Sequence, residues 1–158
     1  AGQNFGAKCY KRMKRGALVA LGMTAGLTLI IGSLMLLLAN PLLRLFTSDA
    51  AVIEIALRVI RFMVPTYITY ICVEIFSGTI RGAGDAVIPT VLTCFGVCAL
   101  RVLWIFLAVP ASHTLKTVVL SYPITWSFTS ILFVLYYFHG GWLRRRRRLQ
   151  EMLSVSDN

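Results

Sequence analysis

The sequence predicts an all-α, polytopic helical membrane protein with four transmembrane helices, and three observations support this class. The chain contains four long apolar runs. Hydrophobic residues make up 58% of its 158 residues and the mean hydropathy is +0.77, which is high for a soluble domain. Ten of the 16 Lys and Arg residues flank the apolar region, five before Gly16 and five after Leu143. Because such residues are retained in the cytoplasm, four crossings would leave both ends inside.

The first span is predicted over about residues 16–38. This run exceeds the roughly 20 residues that cross the hydrocarbon of a bilayer. Gly22 and Gly26 form a pair of small residues at helical spacing, which predicts close approach of a neighbouring helix. Pro41 follows Asn40, and since proline disfavours helix at both positions, we expect the span to end there.

The second span is predicted over about residues 57–80, after a connection of mixed charge that is expected on the outer side. Arg58 near its outer end can reach the headgroups, and Pro65 is expected to kink the helix. The span ends in the sequence Arg-Gly-Ala-Gly-Asp at 81–85, which predicts a tight turn on the inner side.

The third span is predicted over about residues 87–109, with Asp85 as its N-cap and Pro89 in its first turn. Residues 110–116 then form a weakly charged outer loop. The fourth span is predicted over about 117–138.

The inner end of the fourth span is rich in aromatic residues, which predicts an interfacial belt. Its members are Tyr136, Tyr137, Phe138 and Trp142. The remaining residues, 144–158, predict a basic, disordered cytoplasmic tail whose arginines anchor it to anionic lipid.

Glu74 is the only acidic residue within any of the four apolar runs. An intramembrane carboxylate commonly faces a bundle interior or a wet cavity and takes part in ion pathways. In a continuous helix its spacing from several polar neighbours confines them to one stripe of roughly 80°. The stripe consists of Tyr67, Tyr70, Glu74, Ser77 and Arg81. Glu74 is therefore either a cation or proton site, or a structural acid paired with Arg81 or Arg101.

Other function classes receive less support from the residues. Arg101 in the third span is expected to extend toward the headgroups or to bind backbone carbonyls. Cys94 and Cys98 share a helix face without further ligands, so we predict free, buried thiols and no metal site. The positive charge lies at membrane borders rather than on a solvated face, which argues against nucleic acid. No catalytic signature is present, so no enzyme is predicted.

Two glycine-containing motifs resemble the C-terminal part of a multidrug and toxic compound extrusion (MATE) transporter. Residues 2–7, Gly-Gln-Asn-Phe-Gly-Ala, precede a basic patch and are similar to a segment between the second and third helices of a six-helix lobe. Residues 77–89, which contain Arg81, Gly82, Gly84 and Asp85 and end at Pro89, are similar to the loop that joins the fourth and fifth helices. Two spans separate the motifs and two follow the second.

The resemblance implies that residues 1–143 form a fragment of a C-terminal lobe, with the last four of twelve helices. It implies efflux of small organic cations or drugs by alternating access, coupled to sodium or protons, with no cofactor. Family members carry a coupling acid in the tenth helix, and Tyr70 aligns with it here. Glu74 lies one turn away, so both residues are candidates, with Tyr67 and Ser77 as cavity candidates.

Several further expectations accompany the resemblance. The chain begins Ala-Gly-Gln without methionine, so we expect upstream helices of the same protein as its partners, together with the lipid bilayer of the cell membrane. A flippase of a related fold that moves lipid-linked sugars is one alternative function. Such a flippase is expected to carry several cationic residues in its lumen, whereas Arg101 is a single intramembrane cation. A non-transport membrane scaffold is another, although it would not need Glu74 on a polar stripe.

Overall fold

The computed structural model describes residues 1–139 and 141–156, with side chains through residue 152. These residues form eight α-helices and no strand, which confirms the predicted fold class. The helices are α1 (Gly2–Gly6), α2 (Tyr10–Arg44), α3 (Ala50–Thr66), α4 (Ile71–Gly82), α5 (Val87–Thr93), α6 (Leu100–Ala108), α7 (Leu115–His139) and α8 (Trp142–Ser156).

Four helical segments of the described chain are long and apolar enough to cross a membrane, as predicted. They are Tyr10–Arg44, Ala50–Gly82, Val87–Ala108 and Leu115–His139. The first, α2, has 35 residues and is therefore about 50 Å long, so it extends beyond a hydrocarbon core of about 30 Å. Many apolar side chains on the surface of α2 are exposed, such as Leu37 at 78%, and they are suited to contact with lipid or with further helices.

The first span does not end at Asn40 and Pro41, so that prediction was wrong. Pro41 lies inside α2, which continues to Arg44. The Nε of Arg44 donates a 3.3 Å hydrogen bond to Oδ1 of Asn40 across the proline, and the N–H of Leu45 closes the last turn. A proline costs the helix one backbone hydrogen bond, and α2 continues for only three residues beyond it.

The close helix approach predicted at Gly22 and Gly26 occurs elsewhere on α2. No other part of the described chain lies within 4 Å of a side chain built at either glycine. Gly32 instead faces α3, where a Cβ atom would lie 3.2 Å from Val64. Glycine at position 32 therefore permits α2 and α3 to pack closely.

The second span is interrupted in its middle rather than simply kinked at Pro65. Helix α3 ends at Thr66, a 3₁₀ turn covers Tyr67–Thr69, and α4 begins at Ile71. The proline cannot donate to the helix, and the tighter 3₁₀ hydrogen bonding changes the direction of the side chains that follow. The polar stripe predicted from Tyr67 to Arg81 is consequently not the face of one continuous helix, because Tyr67 lies in the 3₁₀ turn whereas Glu74, Ser77 and Arg81 lie in α4.

The third span also departs from regular α-helix. A π-helical segment, Cys94–Ala99, separates α5 from α6. Within it, Gly96 lies so close to Thr129 of α7 that a Cβ atom could not fit between them. The widened turn and the missing side chain bring this span against α7, just before Arg101.

The core lies where α2, α4, α7 and the start of α8 meet, at the end of the spans where α2 begins. Its buried members are Met13, Ala17, Val73, Phe76, Ile80, Ala83, Phe133, Tyr137 and Trp142. Tyr137 and Trp142 are only 5% and 1% exposed, so these two are core residues and not part of an interfacial belt. Phe76 packs against Tyr137 at a ring distance of 4.4 Å, because these large rings fill the space between α4 and α7.

The segment predicted as a disordered tail contains a helix, α8, from Trp142 to Ser156. Residues 157 and 158 lie outside the described part of the chain. Trp142 is buried and its Nε1 donates a 3.0 Å hydrogen bond to the carbonyl of Tyr137, which fixes the start of the helix. The disorder prediction failed here because contacts with remote parts of the chain hold this segment.

Candidate functional site

The interruption between α3 and α4 leaves backbone groups without helical partners, and local side chains satisfy several of them. The hydroxyl of Thr66 donates to the carbonyl of Met63 at 2.7 Å, and that of Thr69 donates to the carbonyl of Thr66 at 2.8 Å. The carbonyl of Thr69 accepts a hydrogen bond from the Ser130 hydroxyl of α7. The interruption is therefore a built feature of the fold, held from within and from α7.

Four aromatic rings gather beside the interruption, with Trp126 of α7 at their centre. Its ring centroid lies 5.4 Å from Tyr67, 5.3 Å from Tyr70 and 5.6 Å from Tyr122. Tyr67 is stacked on Trp126 and Tyr122 meets it edge to face. Such clusters offer negatively charged ring faces to a cation.

Glu74 lies one turn into α4, and its backbone N–H donates a 3.3 Å hydrogen bond to the carbonyl of Tyr70, four residues earlier. It is exposed and makes no ion pair with Arg81 or Arg101, so the predicted structural pairing is not present in the described chain. Gly78 and Arg81 continue the exposed face of α4 below it. Glu74 thus presents a carboxylate on an uncovered face, with a phenol beside it.

Arg101 neither extends toward the headgroups nor binds a backbone carbonyl, in contrast to the prediction. Its Nη2 donates a 3.1 Å hydrogen bond to Oγ1 of Thr125, and its guanidinium carbon lies 4.0 Å above the ring of Tyr122. Its Nε is buried and has no hydrogen-bond partner in the described chain. These contacts hold the cation against α7.

The structure brings Tyr67, Tyr70 and Glu74 together but separates Ser77 from them. Ser77 is 6% exposed and its hydroxyl donates to the backbone carbonyl of Glu74 at 3.3 Å, so it belongs to the packed side of α4. Residues of α7 that complete the site were not identified from the sequence. They are Tyr122, Thr125 and Trp126. The four-residue spacing of Tyr122 and Trp126 was the available signal, since it places both rings on one helix face.

The two motifs that carry the family resemblance pack against each other at the end of the spans where α2 begins. A Cβ atom on Gly82 would lie 2.8 Å from that of Ala1, and one on Gly2 would lie 3.0 Å from the carbonyl oxygen of Gly82. Neither glycine can be enlarged without moving the other segment. Their backbones therefore meet directly, and the two motifs form one structural unit.

Asp85 of the second motif does not cap the third span, whose N-cap is Ala86 without a side-chain bond. Asp85 is 5% exposed and accepts a 2.5 Å hydrogen bond from Nη2 of Arg145 on α8. The Nε of Arg146 donates to the carbonyl of Ala83 at 3.2 Å. Two arginines of α8 thus bind the loop, because a buried carboxylate and a loop carbonyl both need donors.

Gly84 allows this docking because its φ is +83° and a Cβ atom there would collide with the Arg146 guanidinium. Both the left-handed backbone and the close approach of α8 require glycine at this position. The loop residues Gly82, Gly84 and Asp85 therefore have structural explanations. Arg81 has none of this kind, and it is exposed on the same face of α4 as Glu74.

The four cysteines are free, and three of them are exposed in the described chain. Cys94 and Cys98 lie on the outside of the third span, so the prediction of buried thiols was wrong for both. Their exposure follows from the packing of the other face of this span, through Gly96, against α7. The described residues contain no group of three His, Cys, Asp or Glu side chains placed to hold a metal ion.

The fold and the site define a multi-pass helical membrane protein with an interrupted span, a lone intramembrane acid and an aromatic cluster beside it. Discontinuous helices of this kind are typical of transporter binding sites. The family model for MatE matches residues 1–107. The chain belongs to the MatE family, which confirms the family predicted from the two motifs.

Two curated relatives match this chain over only part of their own length. The chain is 32% identical over 122 residues to Multidrug and toxin extrusion protein 2 of Oryctolagus cuniculus, covering 75% of this chain and 18% of that protein. It is 26% identical over 154 residues to the Probable multidrug resistance protein YoeA of Bacillus subtilis (strain 168), covering 92% of this chain and 32% of that protein. The chain thus spans less than a third of each relative. No solved structure matches it significantly.

Proposed function

We propose that the chain is part of a drug-efflux transporter that exports small organic cations in exchange for sodium or protons. The names of the two relatives support drug extrusion, and the interrupted span supports a binding site at mid-membrane depth. In this proposal the other helices of the full-length protein cover the open face of α4. The protein lies in the cytoplasmic membrane with both ends inside, needs no cofactor and catalyses no reaction.

The observation that carries the proposal is the position of Glu74 beside Tyr70 at the start of α4. A carboxylate in a site of low polarity attracts a cation or a proton, whereas the rings of Tyr67, Tyr70 and Trp126 attract an organic cation. The two ligands would then compete for one charge. Competition of this kind couples their movements, because binding of one disfavours binding of the other.

Arg101 has a distinct role in this proposal. Its bonds to Thr125 and Tyr122 keep its charge on α7 and leave the Glu74 carboxylate without a fixed ion-pair partner. A carboxylate that Arg101 already neutralised would bind sodium, a proton or an organic cation less well. The arrangement therefore preserves the negative charge for exchangeable ligands.

The test replaces Glu74 in the full-length protein by glutamine, which keeps the shape and removes the charge. Purified protein is reconstituted in vesicles, and transport of tetraphenylphosphonium is measured under an imposed sodium or pH gradient. We expect Glu74→Gln to abolish the effect of the driving ion on substrate affinity, an effect of about 5–150-fold for typical coupled sites, and gradient-driven transport should fall with it. Transport by the variant should no longer respond to the driving ion.

The chain offers a matched control in Glu54, which is 69% exposed and bonded to Arg58 at the far end of the same span. Glu54→Gln removes the same charge from a solvated position and should transport like the parent. If Glu74→Gln transports with unchanged ion dependence, Glu74 is a structural residue and the proposed coupling role is wrong. Tyr70→Phe would then test the Tyr70 hydroxyl, at the position that aligns with the coupling acid of family members.

A further inference from the structure

A basic pocket lies where the start of α2, the end of α7 and the start of α8 meet. Its volume is about 320 Å³, and it takes no part in the site around Glu74. Lys14, Arg144 and Arg147 bring three positive charges to its lining, and His139 adds an imidazole. None of the described residues that line it is acidic.

Contacts between α2 and α8 hold Arg147 in position. Arg144 and Arg147 are three residues apart on α8 and therefore share a helix face. The guanidinium carbon of Arg147 lies 4.6 Å above the ring of Tyr10, and the Tyr10 hydroxyl donates to Oε1 of Gln150 at 3.1 Å. These bonds fix α8 against α2, so the pocket exists before any ligand enters.

The chemistry of the lining selects an anion with several oxygen atoms. Guanidinium groups bind phosphate through paired hydrogen bonds, and a lysine adds a compact charge. The pocket also lies at the N-terminus of α8, a helix of 15 residues, where backbone N–H groups and the helix dipole favour negative charge. Arg145 and Arg146 instead bind the loop that contains Asp85. The arginines that hold the loop are therefore different residues from those that line the pocket.

We propose that this pocket binds the phosphate group of an anionic phospholipid in the leaflet at this end of the spans. The span formed by α7 ends at His139, which places the pocket at headgroup depth. Phe138, which is 58% exposed, and Leu143 line the same pocket and offer apolar contact to the lipid's glycerol and acyl groups. A soluble phosphate ester shares the headgroup chemistry, and the experiment separates the two sources.

The experiment measures lipid binding to the full-length protein by native mass spectrometry in detergent. Dioleoylphosphatidylglycerol is titrated against the parent and an Arg144→Gln/Arg147→Gln variant, with dioleoylphosphatidylcholine as the neutral lipid. A Lys11→Gln/Arg148→Gln variant removes the same charge from the same end but outside the pocket lining. In a parallel arm, glycerol 3-phosphate is added at millimolar concentration to displace the bound lipid.

We expect the pocket variant to bind the first phosphatidylglycerol about 30-fold more weakly, since each basic residue near a membrane contributes about 1 kcal/mol. The control variant should lose less than threefold. Failure of glycerol 3-phosphate to compete identifies a lipid site, and competition identifies a phosphate site open to both sources.

Equal losses in the two variants would overturn the proposal, because they would show attraction to the whole basic surface and no pocket. Binding of phosphatidylcholine as tight as that of phosphatidylglycerol would overturn it too. Lys14→Gln on α2 leaves α8 unchanged and keeps the test decisive if the double arginine variant does not fold. It should weaken binding about fivefold, the value for one charge.

Discussion

The hydroxyl of Ser130 on α7 donates a hydrogen bond to the backbone carbonyl of Thr69, where the second span loses its helical hydrogen bonds. The two residues are 61 positions apart. In a membrane, a free backbone carbonyl at this depth would be costly, so α7 supplies the donor that the interrupted helix lacks. The candidate site around Tyr70 therefore depends on α7 for both its rings and its backbone geometry.

Replacing Ser130 by alanine should destabilise the protein by about 1–3 kcal/mol, the cost of leaving a buried acceptor unpaired. Ser130 is 8% exposed, so water does not readily replace its hydroxyl. Thermal unfolding of the full-length protein in detergent measures the effect. Ser127→Ala is the control, since the Ser127 hydroxyl makes no hydrogen bond within the described part of the chain. Equal unfolding midpoints for the two variants would contradict the role given to Ser130.

The contact of Gly96 with Thr129 predicts a packing defect when the glycine is enlarged. Gly96→Ala places a methyl group against the side chain of Thr129, which is fully buried, and overpacking of this kind costs about 1–3 kcal/mol. Gly22→Ala is the control, because its position is open and alanine favours helix there by about 1 kcal/mol. Unfolding midpoints should fall for Gly96→Ala and not for Gly22→Ala.

A second substitution distinguishes the clash from a loss of backbone freedom at position 96. Thr129→Ala removes Oγ1, the atom nearest to the added methyl group, and Cγ2 at 3.1 Å, and it leaves Cβ at the same distance. The double variant Gly96→Ala/Thr129→Ala should therefore recover part of the stability lost by Gly96→Ala, relative to the additive expectation. Strict additivity of the two changes would show that the contact does not limit the size of residue 96.

The proposed orientation predicts which cysteines a membrane-impermeant maleimide reaches in intact cells. Cys9, at the start of α2, is exposed and should react only after the membrane is permeabilised. Ser112, between α6 and α7, lies at the other end of the spans and should react from outside when changed to cysteine. Each is tested as the only cysteine of the full-length protein. Labelling of Cys9 in intact cells would reverse the assigned orientation.

Hydropathy alone located the four spans, because crossing a bilayer requires long apolar helices whatever their partners. Hydropathy did not predict where helices are interrupted or continue past a proline, because these features depend on contacts with other parts of the chain. Pro65 signalled a kink, but the interrupted segment also needs Ser130 of α7. Pro41 signalled a helix end, but the bond from Arg44 to Asn40 bridges it.

Some residues of the candidate site could likewise be predicted from the sequence, whereas others depend on contacts between remote parts of the chain. Glu74 was identifiable because it is the only acid within the apolar runs. Trp126 and Thr125 were not, since an aromatic residue or a threonine in an apolar run is ordinary, and only packing brings them to Tyr70 and Arg101. The helix α8 was missed because five consecutive arginines show no apolar pattern, and the acid that binds one of them, Asp85, lies 60 residues earlier.

The bond between Asp85 and Arg145 provides the last prediction, which concerns the attachment of α8. Arg145→Gln leaves the Asp85 carboxylate buried without its charged partner, and Asp85→Asn removes the charge that attracts the arginine. We expect each change to cost about 1–3 kcal/mol of unfolding free energy. The lower part of this range applies to the pair itself, because the Arg145 side chain is 53% exposed and water screens it.

The double variant Asp85→Asn/Arg145→Gln separates the pair from the two residues' other contacts. If the carboxylate and guanidinium stabilise each other, the double variant loses less than the sum of the single variants, by about 0.5–3 kcal/mol. This coupling should shrink in high salt, which screens an exposed charge. Arg148→Gln is the control for lost charge on α8. Strictly additive losses would mean that α8 is held by Trp142 and Tyr10, and that Asp85 is buried for another reason.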